Sequence, residues 1–159
     1  MAIYMKYADK KGEVTAEGYK DWIEVHSFQW GVGRGISAGS GGASKREASA
    51  PSISEITMTK TMDSFSPLLL KEAIGGKSEK VEVHLTQTDN SGKHIAYQKY
   101  ILENTLVSGY SISCGGDRPN ESFSLNFSKF DSEYIKIDDK FKSATTGHVI
   151  YDLAMAKSG

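Results

Sequence analysis

The chain has 159 residues, and its 19 Lys and Arg nearly balance its 20 Asp and Glu. This length predicts one domain spanning residues 1–159, and the balanced charge argues against a nucleic-acid partner or an anionic membrane surface. The single cysteine, Cys114, excludes an internal disulfide. The first residues show no basic segment followed by an apolar one, and no apolar run approaches the roughly 18 residues of a membrane span. We therefore expect a cytoplasmic protein without a signal peptide that does not insert into membranes.

The dominant hydrophobic period is two residues, which predicts half-buried strands. It is clearest where Phe123, Leu125 and Phe127 alternate with serine and asparagine. Many short strands in one chain are typical of all-β folds. We predict a mainly β fold, an antiparallel β-barrel of two sheets. The predicted strands are, in chain order, 3–7, 22–30, 53–62, 80–88, 94–102, 105–113, 122–128, 134–137 and 148–154.

Residues 31–52 form a long Gly/Ser-rich segment without periodicity, and the sequence predicts a structureless loop here. Loops longer than about 12–15 residues are usually functional or disordered, so the contacts of this loop are a clue to function. Its glycines do not match a dinucleotide-binding fingerprint, because no candidate start places a glycine at the last position and a strand follows where a helix is needed.

One short helix is predicted beside the strands. Ser66 is expected as the N-cap, Pro67 stands at the first helical position, and Gly75 with Gly76 ends the helix. Two turns are too short to be stable alone. We therefore expect at least one of the apolar residues of this helix to pack on the barrel; the candidates are Leu69, Leu70 and Ile74.

No pattern of residues indicates catalysis. The single cysteine has no sequence feature that would activate it, and no Gly-x-Ser-x-Gly motif is present. Neither His-x-x-x-His nor Cys-x-x-Cys spacing occurs. We expect a protein that is not an enzyme and that has no cofactor and no metal. The four histidines are His26, His84, His94 and His148.

Small uncharged polar residues recur at the outer positions of the predicted strands. If Phe28 and Trp30 fill the barrel, Gln29 between them faces outward. Ordinary solvated strands carry more Lys and Glu, so this polar surface is typical of a wall that many cargoes pass without binding strongly. The other outer residues are Thr86, Thr88, Ser122, Ser124, Asn126 and Ser128.

Several separated motifs together resemble the hemolysin-coregulated protein (Hcp) family, the inner-tube subunit of the bacterial type VI secretion system. The likeness covers essentially the whole chain. The motifs are Ser27-Phe28-Gln29-Trp30-Gly31, Ser44-Lys45-Arg46-Glu47, Ser66-Pro67-Leu68-Leu69, and Gly115-Gly116-Asp117-Arg118-Pro119 followed by Ser122-Phe123-Ser124-Leu125-Asn126-Phe127.

The resemblance implies a β-barrel with one short helix, rings of six subunits, and rings stacked into a tube inside a contractile sheath on a baseplate. The tube carries a spike at its tip, delivers effector proteins and is exported without a signal peptide. Some members carry a C-terminal toxic domain, which we do not expect in this chain. By this resemblance Gln29 faces the lumen. We also expect the loop to contact a neighbouring subunit or the next ring, with Lys45 and Arg46 as its polar anchors. The expected ring-stacking residues are Gly39, Gly41, Gly42, Ser44, Lys45 and Arg46.

Two other classes of protein remain open from the sequence. The first is a monomeric β-barrel that binds one small apolar ligand. The second is a hydrolase, since a catalytic triad is a matter of geometry and cannot be read from composition.

Overall fold

A computed structural model describes residues 1–38 and 46–159. In these ranges the chain forms fourteen strands and one helix. The elements are β1 Ala2–Tyr7, β2 Ile23–Val25, β3 Ser27–Gln29, β4 Val32–Gly33, β5 Ile36–Ala38, β6 Arg46–Ala48, β7 Ser52–Ile53, β8 Ile56–Thr61, α1 Ser66–Gly75, β9 Glu79–Thr88, β10 His94–Ser113, β11 Asn120–Asn126, β12 Lys129–Ile137, β13 Ser143–Asp152 and β14 Lys157–Ser158.

Ten of these strands form one antiparallel sheet with two halves that share strand β10. The wide half has the order β2-β1-β9-β10-β12-β13-β14, and the narrow half has the order β10-β11-β8-β3. Strand β10 pairs with β12 up to Glu103 and with β11 from Leu106. Between them Asn104 takes a left-handed conformation with φ +49°. The mainly β, antiparallel prediction is confirmed, although the two predicted strands 94–102 and 105–113 are one strand.

The core lies between the two halves and is filled by side chains of alternating strand positions. Each large apolar side chain that is fully buried contributes roughly 1.5–3 kcal/mol to folding. These side chains fill the interior, which is where a β-barrel that binds a small apolar ligand would hold that ligand. The fully buried apolar residues are Met5, Tyr7, Ile23, Ile56, Met58, Phe65, Leu69, Val81, Val83, Leu102 and Leu125.

The helix spans Ser66–Gly75, so it begins one residue before the predicted start and ends where predicted, and Leu69 is the residue that packs fully into the core. Leu70 and Ile74 are exposed. The predicted N-cap is wrong: Phe65 occupies that position without a side-chain cap, and Ser66 is the first helical residue. The Ser66 hydroxyl instead accepts a hydrogen bond from the backbone N–H of Asp63 at 2.9 Å.

The segment between β3 and β8 is not the structureless loop that the sequence predicts. In its described part, β4 pairs with β7 and β5 pairs with β6, so the chain runs out and back as a narrow ribbon. Serine side chains support it, since the Gly35 N–H donates to Ser49 Oγ and the Gly31 N–H to Ser54 Oγ, both at 2.8 Å. Strands of two or three residues are too short to show a hydrophobic period, which is why the sequence did not reveal them.

Candidate functional site

The outer surface of the narrow half carries the candidate site. Along β8 the residues Ile56 and Met58 point into the core, so Thr57 and Thr59 point outward. On β11 the same alternation buries Phe123 and Leu125 and turns the serines between them outward. The narrow half therefore has an apolar inner side and a polar outer side.

The strand registers align the outward residues in two rows across four strands. Strands β3, β8, β11 and β10 each contribute one residue to a row. No member of either row carries a charge. We call these residues the polar face. The first row is Ser27, Thr59, Ser122 and Ser111, and the second is Gln29, Thr57, Ser124 and Gly109.

Hydroxyl groups of the polar face bond to one another and to residues at its borders. The Ser27 and Thr59 hydroxyls share a hydrogen bond, and Ser124 Oγ lies 2.9 Å from Ser108 Oγ. Beside them, the Ser108 hydroxyl donates to the carboxylate of Glu55 at 2.6 Å. Gly109 keeps this corner open, because a Cβ at its position would lie 2.8 Å from Ser124 Oγ.

Gln29 has the orientation that the sequence predicts. Phe28 stacks on Tyr100 with ring centroids 4.8 Å apart, and Trp30 lies 4.6 Å from Phe130. Gln29 is exposed between these two packed aromatics. Its outward orientation is confirmed, whereas its place in a lumen stays a prediction.

Four of the predicted outer residues do not belong to the polar face. Asn126 is exposed at the end of β11, outside the two rows, where its amide donates to Glu55 at 3.3 Å. Thr86 is fully buried in the wide half, where its hydroxyl donates to the Ala2 carbonyl at 3.0 Å. Thr88 is exposed at the end of the same strand, β9, which also belongs to the wide half. Ser128 follows the end of β11, and its hydroxyl accepts from the Asn104 amide at 3.0 Å. Period-two alternation shows neither on which sheet half a residue lies nor whether that side of its strand is exposed.

Beneath the polar face lies a buried ionic network that the sequence analysis did not find. Lys60 Nζ donates to Glu121 Oε2 and to Asp63 Oδ1, both at 2.8 Å. The hydroxyls of Ser66 and Tyr110 donate to the Glu121 carboxylate at 2.8 and 2.6 Å. Lys60 and Glu121 are almost completely buried. The network joins the start of α1 to strands β8, β10 and β11.

The electrostatics of this network hold Glu121 ionised. Burial raises the pKa of the Glu121 carboxyl, but hydrogen bonds from Lys60, Tyr110 and Ser66 outweigh burial and leave the pKa below its ordinary value of 4.5. Burial, together with the bond to Glu121, raises the pKa of Tyr110 to about 12, so this phenol remains a donor. A signal was present in the sequence, because both charges stand at inward positions of their strands.

The predicted loop contacts are divided by the described ranges. Arg46 begins β6 and pairs with Ala38 of β5, with its side chain exposed. The other predicted contact residues, Gly39, Gly41, Gly42, Ser44 and Lys45, lie outside the described residues. No observation tests the role of this loop.

The histidines and the cysteine occupy separate places. Cys114 is exposed in the turn after β10. Within ranges 1–38 and 46–159, no three histidine, cysteine or acidic residues converge as metal ligands. The same ranges contain no helix long and apolar enough to cross a membrane. The histidine partners are Thr61 for His26, Tyr19 and Glu82 for His84, Tyr4 for His94, and Asp131 for His148.

These features define a class of protein: an antiparallel β domain with a filled core, a neutral polar wall on one sheet half and an extended ribbon. The family model described as "Type VI secretion system effector, Hcp" matches residues 4–134. The chain belongs to this family of type VI secretion proteins, which confirms the resemblance seen in the sequence. The family consists of structural secreted proteins that are not known as enzymes.

Solved structures agree with the family assignment. One described as the structure of a type six secretion system protein is 26% identical, with a TM-score of 0.88 and 99% of both chains covered. Hcp1 from Salmonella typhimurium is 22% identical, with a TM-score of 0.76 over 99% of this chain and 98% of that one. A type VI secretion system effector from Yersinia pestis shares the fold at 19% identity, with a TM-score of 0.70 and coverage of 94% and 98%. No curated protein matches this chain.

Proposed function

We propose that this chain forms closed hexameric rings that stack into the inner tube of a type VI secretion system, with the polar face lining the channel. The protein is made in the cytoplasm, and its rings are exported with effector proteins in the lumen. A contact that joins unlike surfaces of identical subunits gives a ring when the rotation closes. Membership of the Hcp family supports this proposal.

The observation that carries the proposal is the neutral chemistry of the polar face. Its hydroxyls and the Gln29 amide exchange hydrogen bonds with water and with a passing protein at little net gain, about 0.5–1.5 kcal/mol for each bond. A charged wall would retain cargo of the opposite sign and repel cargo of the same sign. The polar face therefore suits a channel that releases many different effectors.

The ribbon supports the stacking part of the proposal. A two-stranded ribbon is only marginally stable alone in water. This one also exposes two large apolar side chains, Val32 and Ile36. Contact with another ring would cover them, and Lys45 and Arg46 would supply its polar anchors. The remaining partners in the proposal are a spike protein at the tip, a contractile sheath and a baseplate.

Mass and internal distances test ring formation. Light scattering should give one species of six chains of 17.4 kDa each. For distances, the exposed Cys114 is first replaced by serine, and a spin label is attached to Gln29→Cys. Pulsed electron resonance should then give the three-distance pattern of a hexagon. A labelled Ile74→Cys on the exposed helix serves as the matched control and should give the same pattern at longer distances.

Two results would contradict the proposal. The first is monomer or dimer alone at micromolar concentration and above. The second is a hexagon that is wider at position 29 than at position 74, because the polar face would then lie on the outside of the ring.

A further inference from the structure

The wide half of the sheet splits into two hairpins at one end. Gln98 and Tyr134 form the last pair between β10 and β12. Beyond this pair, β10 stays bonded to β9 as far as His94, and β12 stays bonded to β13 as far as Ile137. We call the space between the two hairpins the fork.

Irregular pairing marks the point where the hairpins part. The register of β9 and β10 shifts between Ala96 and Gln98, and that of β12 and β13 shifts between Tyr134 and Ile135. Such bulges bend a strand and increase its twist. Both hairpins therefore change direction at the base of the fork, so the split is part of the fold and not the fraying of one strand end.

The hairpin tips are closed by two turns of the same form. Asp89 Oδ1 accepts hydrogen bonds from the backbone N–H groups of Ser91 and Lys93 at 2.8 and 2.9 Å. Asp138 Oδ1 accepts from the backbone N–H groups of Lys140 and Lys142 at 2.9 and 2.8 Å. These bonds fix the conformation of both tips and orient the two carboxylates toward the backbone of their turns.

The inner edges of the fork are unpaired. In the part of the chain that the structure describes, no strand bonds to β10 between His94 and Tyr97 on the side of β12, or to β12 between Ile135 and Ile137 on the side of β10. An unpaired strand edge presents N–H and C=O groups that can bond an extended segment of another chain.

The space between the hairpins is a groove of about 630 Å³ with an apolar floor and a basic rim. The floor contains Ala96, Ile135 and Phe141, and the rim lysines are Lys93, Lys99 and Lys140. Among the described residues, none of these three lysines forms an ion pair within 4.0 Å. The acidic residue that lines the groove is Asp89.

We propose that the fork binds an extended acidic segment of a partner protein, which adds as a strand to one of its inner edges. Successive side chains of a strand point to opposite sides. A segment that alternates acidic and apolar residues therefore directs carboxylates to the rim lysines and apolar side chains to the floor. All the groups involved belong to one protomer, so the proposal does not depend on ring formation.

A fluorescent octapeptide of alternating Glu and Val tests the proposal by anisotropy with the intact chain. We expect saturable binding that weakens as salt rises. The double variant Lys93→Gln/Lys140→Gln should bind roughly tenfold more weakly, since two exposed ion pairs contribute up to about 1 kcal/mol each. Lys71→Gln on the exposed helix is the matched control and should leave binding unchanged. Circular dichroism checks that both variants fold.

A second peptide separates strand addition from simple charge attraction. N-methylation of alternate residues removes the N–H groups of one edge but keeps every charge, so it should abolish binding. Equal binding of the methylated peptide, or its displacement by inorganic phosphate alone, would overturn the proposal in favour of an anion site. It is also overturned if the wild type binds no peptide while the double variant changes oligomeric state, because a second copy then occupies the fork.

Discussion

The polar groups on the outer side of strands β8 and β11 differ in burial and in partners from those on the inner side. On the outer side, Thr59 and Ser122 are half-buried and paired with each other, and the Thr59 hydroxyl shares a hydrogen bond with the Ser27 hydroxyl. On the inner side, Lys60 and Glu121 are withdrawn from water and depend on each other. Thr59 and Lys60 are adjacent in sequence, as are Glu121 and Ser122. In each pair, one side chain is partly exposed to water and the other is buried in the low-dielectric interior.

The comparison teaches where this sheet tolerates change. When an exposed hydroxyl is lost, water can replace it as a hydrogen-bond partner. Residues on the outer side can therefore vary to suit whatever they contact. A buried charge that loses its partner cannot be compensated in this way. The network in addition connects the helix to three strands, so the inner side fixes the geometry on which the outer rows depend.

The largest effect is expected from Lys60→Met, which keeps the apolar stem and removes the ammonium. Glu121 would be left buried with two hydroxyl donors and no cation, so the free energy of unfolding should fall by about 3–5 kcal/mol. Urea denaturation measures the change. The matched control is Thr59→Val, one residue away on the outer side, which loses about one hydrogen bond and should cost no more than about 1.5 kcal/mol.

A double variant sharpens this result. Lys60→Met combined with Glu121→Leu removes both charges and should be more stable than Lys60→Met alone, because no unpaired charge remains inside. Equal costs for Lys60→Met and Thr59→Val would show that the two sides of the sheet do not differ in the way described.

An intermediate effect is expected from Phe28→Ala. The ring stacks on Tyr100 but is only half-buried, so the loss should stay at or below about 3 kcal/mol, the lower end of the range for a buried Phe. Thermal unfolding measures it. A ring that filled the barrel, as the sequence analysis supposed for Phe28, would cost about 3–5 kcal/mol when lost. A change near 5 kcal/mol would therefore mean that another chain covers Phe28.

Acid should weaken the inner side selectively. The pKa of Glu121 is lower in the folded chain than its ordinary value of 4.5, so its stabilising contribution is complete above about pH 4.5 and is lost as pH falls through the lower folded value. Glu121→Gln removes this titration. From about pH 4.5 to about pH 3, the unfolding free energy of the wild type should fall more steeply than that of the variant.

Other acids do not obscure that comparison. The pKa of Glu82 is also lowered, chiefly by its hydrogen bond to His84, but Glu82 titrates in both proteins and cancels in the difference. Parallel curves for the wild type and Glu121→Gln would contradict the claim that the network holds Glu121 ionised.

The smallest change in stability is expected from Gln29→Glu. An exposed strand residue outside the core can be replaced within about ±0.5 kcal/mol. If the polar face lines a channel, one new charge in each subunit should alter which effectors the rings retain. Effector pull-down measures this, with Lys71→Glu on the exposed helix as the control. If Gln29→Glu retained the same effectors as the wild type, position 29 would have no part in cargo passage.

The alternation of apolar and polar residues was enough to predict most of the longer strands and the outward orientation of Gln29. It also predicted the polar side of β11, because Phe123 and Leu125 bury that strand from one side only. The family was recognisable from motifs spread along the chain. These features are local, with each set by the residue itself and its neighbours two positions away.

Features that depend on distant partners could not be read in the same way. Lys60 and Glu121 are separated by 61 positions, and only the pairing of β8 with β11 makes them neighbours. The predicted strands 94–102 and 105–113 leave a break at residues 103 and 104, yet the left-handed Asn104 lies within one strand that continues into the other half. The fork depends on where the pairing of β10 with β12 stops, which no residue type encodes.

Strand β10 has a mechanical consequence. It is bonded to β9 and β12 in the wide half and to β11 in the narrow half, over twenty residues in all. Between Gln98 and Glu103, tension along the strand is shared by hydrogen bonds to β9 on one side and β12 on the other, so these bonds must rupture together in shear and cannot open one after another. A protein built around such a strand should resist extension along that direction until these bonds break.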